Sequence, residues 1–196
     1  LCRILKVVDE SRRLAMTLCN LDGKRILLTQ ANDFMGPSLN AILQACGATV
    51  IADQRDFLDP KAPAQAIKEA GELDVLLLNL GVPAPSTAAS EVEDEEWGLL
   101  FRHMVDPLPR FARAVLPGMI ARQKGKILLM GSASALRGMK RASSYSAARG
   151  AQLAWVQAVG AELRRQSHLF SRRHPGESGV PGAPATRGSA RPIGIS

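Results

Sequence analysis

The chain is poor in the residues on which several function classes depend. It has three cysteines, Cys2, Cys19 and Cys46, with no CxxC spacing, and only three histidines. Neither a disulfide framework nor a structural zinc site is expected from so scattered a set; reduced thiols in a reducing compartment fit it. Aromatic residues make up 4% of the chain and include a single tyrosine, which leaves little for stacking nucleic-acid bases. No stretch approaches the roughly 18 uninterrupted apolar residues of a membrane span, and the first residues lack the basic-then-apolar order of a secretory signal. A cytoplasmic location, with no membrane partner, is the expectation.

The net charge of +7 is not where a nucleic-acid binder would carry it. Residues 1–20 hold +2 and residues 171–196 hold +3, which leaves +2 for everything between. A folded domain that binds nucleic acid concentrates its basic footprint on the folded part. With 196 residues, 46% of them apolar, the chain is sized for one globular domain with one core.

The middle of the chain alternates two patterns. Short apolar runs at Arg25–Thr29, Ala48–Ala52, Asp74–Asn79 and Lys126–Met130 read as buried strands. Between them lie helical stretches from about Pro37 to Cys46, Pro63 to Ala70, Ser90 to Gln123 with an interruption near Pro107 and Pro109, and Ser144 to Gln166. This alternation predicts an α/β fold, a Rossmann-like doubly wound parallel sheet flanked by helices. Its C-terminal part is expected to be missing. After Leu169 about half the residues are Gly, Pro or Ser with no periodicity, the composition of a disordered tail, where another strand is due. Met16 is a plausible natural start. The expected organisation is an N-terminal extension over 1–20, an incomplete domain over 21–169 and a tail over 170–196. A fragment, or a change of reading frame near residue 168, would explain both ends.

Three residues carry candidate chemistry. Tyr145 and Arg149 stand four apart on a predicted helix, on one face, and Ser132 follows the Lys126–Met130 strand at its carboxyl end, where open α/β sheets place ligands. A guanidinium beside a phenol favours the phenolate by Coulomb attraction, which makes Tyr145 a candidate general base. Taken alone, the pair is also what a solvated helix face carries.

The surrounding sequence adds context. Lys126-Ile-Leu-Leu-Met-Gly-Ser132, Tyr145-Ser-Ala-Ala-Arg149 after twelve intervening residues, Gly23-Lys-Arg-Ile-Leu-Leu-Thr29, Leu73-Asp-Val-Leu-Leu-Leu-Asn79-Leu-Gly81 and Trp97 together resemble short-chain dehydrogenases/reductases over about residues 22–167. Two departures matter. Those enzymes have lysine where Arg149 stands and asparagine where Met104 aligns. Their glycine loop, T-G-x3-G-x-G, appears here as Thr29-Gln30-Ala-Asn-Asp-Phe34-Met35-Gly36, with Gln30 and Phe34 in place of two glycines that let backbone approach a pyrophosphate. Between the strand ending near Ala52 and that starting at Asp74 there is room for one helix only. Asp53, placed where an acid reads a nucleotide ribose, is expected to be a cap or loop residue without those glycines. Asn79 and Gly81 are expected to shape the strand end and the pocket floor.

Arginine for lysine, paired with T-x4-F-x-G for the glycine loop, is similar to the halohydrin dehalogenases. That resemblance implies a carbon–halide lyase with no cofactor. Its substrates would be a small halohydrin or epoxide and a halide ion, with Ser132, Tyr145 and Arg149 catalytic and Thr29, Phe34 and Gly36 around the halide and substrate. A ring edge carries partial positive charge and can face an anion, although Phe34 in a degenerate turn can equally be core. Homo-oligomers through the two long helices are implied as well, and Ala147, Ala151, Ala154 and Ala158 form a stripe of small residues on the second. The alternatives are a reductase with a degenerate cofactor loop and an inactive truncated or frameshifted product.

Overall fold

The computed structural model describes residues 19–170, with side chains described on its last helix through residue 163. The expected extension and tail therefore fall almost wholly outside the described residues. Four short strands form one parallel sheet: β1 (Arg25–Leu28), β2 (Thr49–Ala52), β3 (Val75–Leu78) and β4 (Lys126–Leu129), in the spatial order β2-β1-β3-β4. The helices are α1 (Gly36–Ala45), α2 (Ala62–Ala70), α3 (Asp94–Met104), α4 (Pro107–Ala121), α5 (Ser134–Arg137) and α6 (Ser143–Phe170). The doubly wound α/β architecture expected from the alternation is present, and each strand lies within one or two residues of its apolar run.

Local chemistry sets the element ends. Pro37 and Pro63 occupy the first turns of α1 and α2, where a missing N–H costs nothing, and Gly71 at φ 69° ends α2. The first turn of α3 carries Asp94, Glu95 and Glu96 and its last turn Arg102 and His103, matching the helix dipole at both ends. Pro107 separates α3 from α4. The four-residue α5 is too short for sequence periodicity to reveal.

Strand alternation divides the core between the two faces of the sheet. Leu27, Leu76 and Leu78 pack with Ala62, Ala66 and Ala70 of α2 and with Leu108, Phe111, Val115 and Met119 of α4, all buried. Phe57 meets Phe111 edge to face with ring centroids 4.9 Å apart. On the opposite face Ile26, Leu28 and Leu77 pack under Leu39 and Leu43 of α1. Coverage thins toward β4: Leu77 is 5% exposed, whereas Leu128, its register partner, is 49% exposed. Among the described residues β4 pairs with β3 alone. No helix among them is long and apolar enough to cross a membrane, and no group of three His, Cys, Asp or Glu is placed to hold a metal.

β1 is flanked by β2 on one side and β3 on the other, so the loops leaving β1 and β3 diverge. That divergence opens a crevice at the carboxyl edge of the sheet, the usual ligand position in such folds.

Candidate active site

α6 crosses behind this crevice and presents Tyr145, Arg149 and Gln152 at i, i+4 and i+7, one face of the helix. Tyr145 is buried among Leu100, Met104, Ala142 and Ala148. The Arg149 guanidinium lies 5.1 Å from the centroid of its ring, and Nε donates to the phenol oxygen at 3.0 Å. Nη1 donates to the carbonyls of Met130 at 2.8 Å and Leu80 at 3.2 Å and to Gln152 Oε1 at 2.9 Å. Arg149 is 7% exposed, yet no carboxylate pairs with it among the described residues. Its partners are neutral dipoles and one phenol. A buried cation without a counter-ion is costly to hold and attracts any negative charge that forms nearby.

Ser132 follows β4 and lines a cavity of about 140 Å³ with Arg149, Gln152, Leu129, Leu153 and Val156. Its hydroxyl oxygen accepts from Ser134 Oγ at 2.9 Å and from the Ser134 N–H at 3.3 Å. A hydroxyl has two acceptor positions and one proton, so this arrangement leaves the Ser132 proton free to donate. No hydrogen bond joins Ser132 to Tyr145 among the described residues; Arg149 both lines this cavity and donates to the phenol.

The other side of the crevice, at the ends of β1 and β2, is where this architecture holds a dinucleotide. Gln30, Asp33, Phe34, Arg55, Asp56 and His103 are among the residues lining a broad cavity of about 550 Å³ there. Gln30 and Phe34 adopt φ of 45° and 52°, so the loop keeps a glycine-like backbone at the two positions that carry side chains instead. Gln30 Oε1 accepts from the Gly81 N–H at 2.9 Å, and the Phe34 ring is half exposed at the cavity. Asp53 is buried and already engaged: it accepts from the Arg55 N–H and from its guanidinium, whose other end meets Glu69 at 2.6 Å. With its ribose-reading acid occupied, Asp33 and Asp56 facing the cavity and its one arginine matched by two carboxylates, this corner does not fit a dinucleotide pyrophosphate.

Thr29 and Gly36 line neither cavity. Thr29 is fully buried, and its Oγ1 accepts from the Asn79 N–H at 2.9 Å. The Asn79 side chain donates to the carbonyls of Gln30 and Asp33, tying the loop after β1 to the end of β3. Gly36 is buried where a Cβ would fall 2.4 Å from the Gln30 carbonyl oxygen, so α1 can start this close to the loop after β1 only on glycine. At Gly81 a Cβ would lie 2.8 Å from Arg149 Nη2 and 3.9 Å from the Phe34 ring, which places the guanidinium and the aromatic ring near the same backbone position.

Two further residues belong to the site. Gln152 is signalled in the sequence only as a polar residue on the buried stripe of α6. Glu96 accepts hydrogen bonds from Ser144, next to Tyr145, and from Thr87 Oγ1 at 2.6 Å, and these bonds hold its carboxyl below the usual glutamate range. No local pattern announces that clamp, because its partners are remote in sequence.

Comparison with known proteins places this geometry. The 3-oxoacyl-(acyl-carrier-protein) reductase FabG of Vibrio harveyi is 24% identical over 182 residues, covering 80% of this chain and 74% of that protein. The Escherichia coli reductase of the same name is 24% identical over 169 residues, covering 74% and 69%. Among solved structures, one described as "Dehalogenation enzyme" aligns with a TM-score of 0.67 at 30% identity, covering 75% of this chain and 69% of that one. A gluconate 5-dehydrogenase from Burkholderia cenocepacia in complex with NADP and tartrate aligns at 0.66 and 23%, which speaks for the fold alone. The family described as short chain dehydrogenase matches residues 12–176. On that match and this architecture, the chain belongs to the short chain dehydrogenase family.

Proposed function

We propose that this chain is a cofactor-independent carbon–halide lyase of the halohydrin dehalogenase type. The observation that carries the reading is Arg149: a buried guanidinium that no carboxylate matches among the described residues, donating to a buried phenol. The cationic N–H points at the phenol oxygen, where it can stabilise negative charge that develops during proton transfer. Tyr145 then takes the proton of the substrate hydroxyl, which Ser132 holds. The oxygen lone pair closes on the neighbouring carbon, the carbon–halogen bond breaks, and halide leaves with the bonding pair, giving an epoxide. In the reverse direction Tyr145 protonates the epoxide oxygen while a small anion attacks carbon. Phe34 walls the anion side, and holding both reactants on one rigid sheet edge supplies proximity. The poor fit of the nucleotide corner and the 30% identity to a structure described as a dehalogenation enzyme support the same reading.

One observation favours a second reading. The sequence relatives are reductases; a reductase here would need a nicotinamide cofactor to supply hydride, and nucleotide binding separates the two.

The test is halide release from a vicinal chloro- or bromo-alcohol followed against pH, with mass spectrometry identifying the epoxide. Tyr145→Phe should abolish release, and Ser132→Ala should impair it. Arg149→Lys should keep part of the activity with an altered pH profile, because an ammonium is a point charge without the guanidinium fork. Wild-type release by Tyr145→Phe would refute the mechanism.

A further inference from the structure

Gln152 is 1% exposed and makes three hydrogen bonds that the proposed chemistry does not itself require. Its Oε1 accepts from Arg149 Nη1 at 2.9 Å, and its Nε2 donates to the carbonyls of Met104 at 2.7 Å and Leu80 at 3.2 Å. Only one orientation of the amide works. A flipped amide would set an NH2 group against the guanidinium and an oxygen against two carbonyls, turning every contact repulsive.

The Met104 carbonyl needs such a donor because α3 breaks there. The N–H groups of Val105 and Asp106 both turn back to the Phe101 carbonyl, Pro107 has no N–H, and the Leu108 N–H goes to Val105. The Met104 oxygen thus loses its helical partner in a buried place, and Gln152 supplies one. The amide is pinned from behind by α3 and by the end of β3, and its fixed oxygen receives the guanidinium. Nη1 is anchored to three oxygens, which leaves Nε aimed at Tyr145.

We propose that Gln152 is a positioning residue, the buried bracket that holds the Arg149 guanidinium in the rotation that donates to Tyr145. It touches no reacting atom. Its kinetic consequence rests on the proposed function; its structural content does not. The chain contains one tyrosine, so the ultraviolet absorbance of its phenolate reports on Tyr145 alone, in the full chain and without substrate.

The experiment is that absorbance titration on wild type, Gln152→Met, Arg149→Met and the double variant, with thermal melts alongside. Gln152→Met, close in length and apolar, should lower the phenolate fraction at a mildly alkaline pH by about threefold or more. In the Arg149→Met background the same change should have no further effect, the non-additivity expected of a residue acting through another. For halide release, kcat should fall while KM stays within about twofold. A lowered melting temperature with an unmoved titration, or equal shifts in both backgrounds, would overturn the proposal. If Gln152→Met does not fold, Gln152→Asn is titrated instead. It keeps a neutral amide but is one methylene shorter, so its oxygen no longer reaches Nη1, and it too should depress the phenolate fraction; an unmoved midpoint overturns the proposal. Absence of halide release from wild type would remove the lyase reading and leave the titration to decide on Gln152.

Discussion

Two arginines face the same crevice from opposite sides, and the fold treats them differently. Arg55, at the β2 end, is about a third exposed and meets Asp53 at 2.9 Å and Glu69 at 2.6 Å. Arg149, on α6, is far more buried and has carbonyls, an amide and a phenol around it. A matched cation near the surface contributes to the fold and has little left for a ligand. An unmatched buried cation stays poised toward negative charge that arises during a reaction. At the corner where this architecture holds a nucleotide the arginine is matched by internal pairing, while the arginine on α6 has no carboxylate beside it among the described residues.

Replacing each arginine separately should break this contrast in opposite directions, and the effect is expected to be the largest of those considered. On the proposed mechanism Arg149→Met removes the cation that donates to the base and should lower halide release by about 10²–10⁴-fold, the range for loss of general-base assistance. Arg55→Met leaves the buried Asp53 carboxylate short of its main partner. It should cost about 1–3 kcal/mol of stability with turnover retained in the folded fraction. Denaturant melts and halide assays on the two variants check both halves; loss of turnover at Arg55 with turnover retained at Arg149 would reverse the assignment.

A smaller effect concerns acid. Hydrogen bonds from Ser144 and Thr87 hold the Glu96 carboxyl below its ordinary range. A carboxyl lowered in the folded state stabilises fully above its unfolded value, and that stabilisation is lost as pH falls through the folded value. Melting temperature should therefore fall on the acid side in wild type, with a flatter slope in Glu96→Gln. Equal slopes would show that the clamp does not couple α3 to the start of α6.

The smallest effect is on assembly. α3 exposes Trp97, stacked on Phe101 with centroids 4.9 Å apart, and Leu99, while Ala154 and Ala158 lie exposed on α6. If these helices carry self-association, Trp97→Lys should shift light scattering at micromolar concentration toward monomer. An unchanged mass would place any interface elsewhere.

Much of this was legible in the sequence, for identifiable reasons. Buried parallel strands are continuous apolar runs bounded by glycine, proline or polar residues, so Arg25–Leu28, Val75–Leu78 and their neighbours stand out, as does the break at Pro107. Tyr145 and Arg149 are close in sequence and share a helix face, so their contact follows from spacing alone. Direction and long-range pairing were not legible. Motif position places Thr29 and Gly36 beside the ligand loop but does not say that Thr29 points inward to Asn79 or that Gly36 serves close packing. Asp53 stands where a ribose-reading acid belongs, and only the fold shows Arg55 already upon it. Gln152 and Glu96 gain their meaning from the end of β3, the broken end of α3 and the Thr87 loop, far away in the chain.

The most direct test of whether the nucleotide corner takes a cofactor is a thermal shift of the full chain with NAD(H) and with NADP(H) at millimolar concentration. A ligand held at 100 times its dissociation constant adds about 2.7 kcal/mol of stability. With Asp53 engaged by Arg55, side chains at Gln30 and Phe34 and carboxylates facing the cavity, neither nucleotide should move the melting temperature. A clear rise with either one would contradict the account.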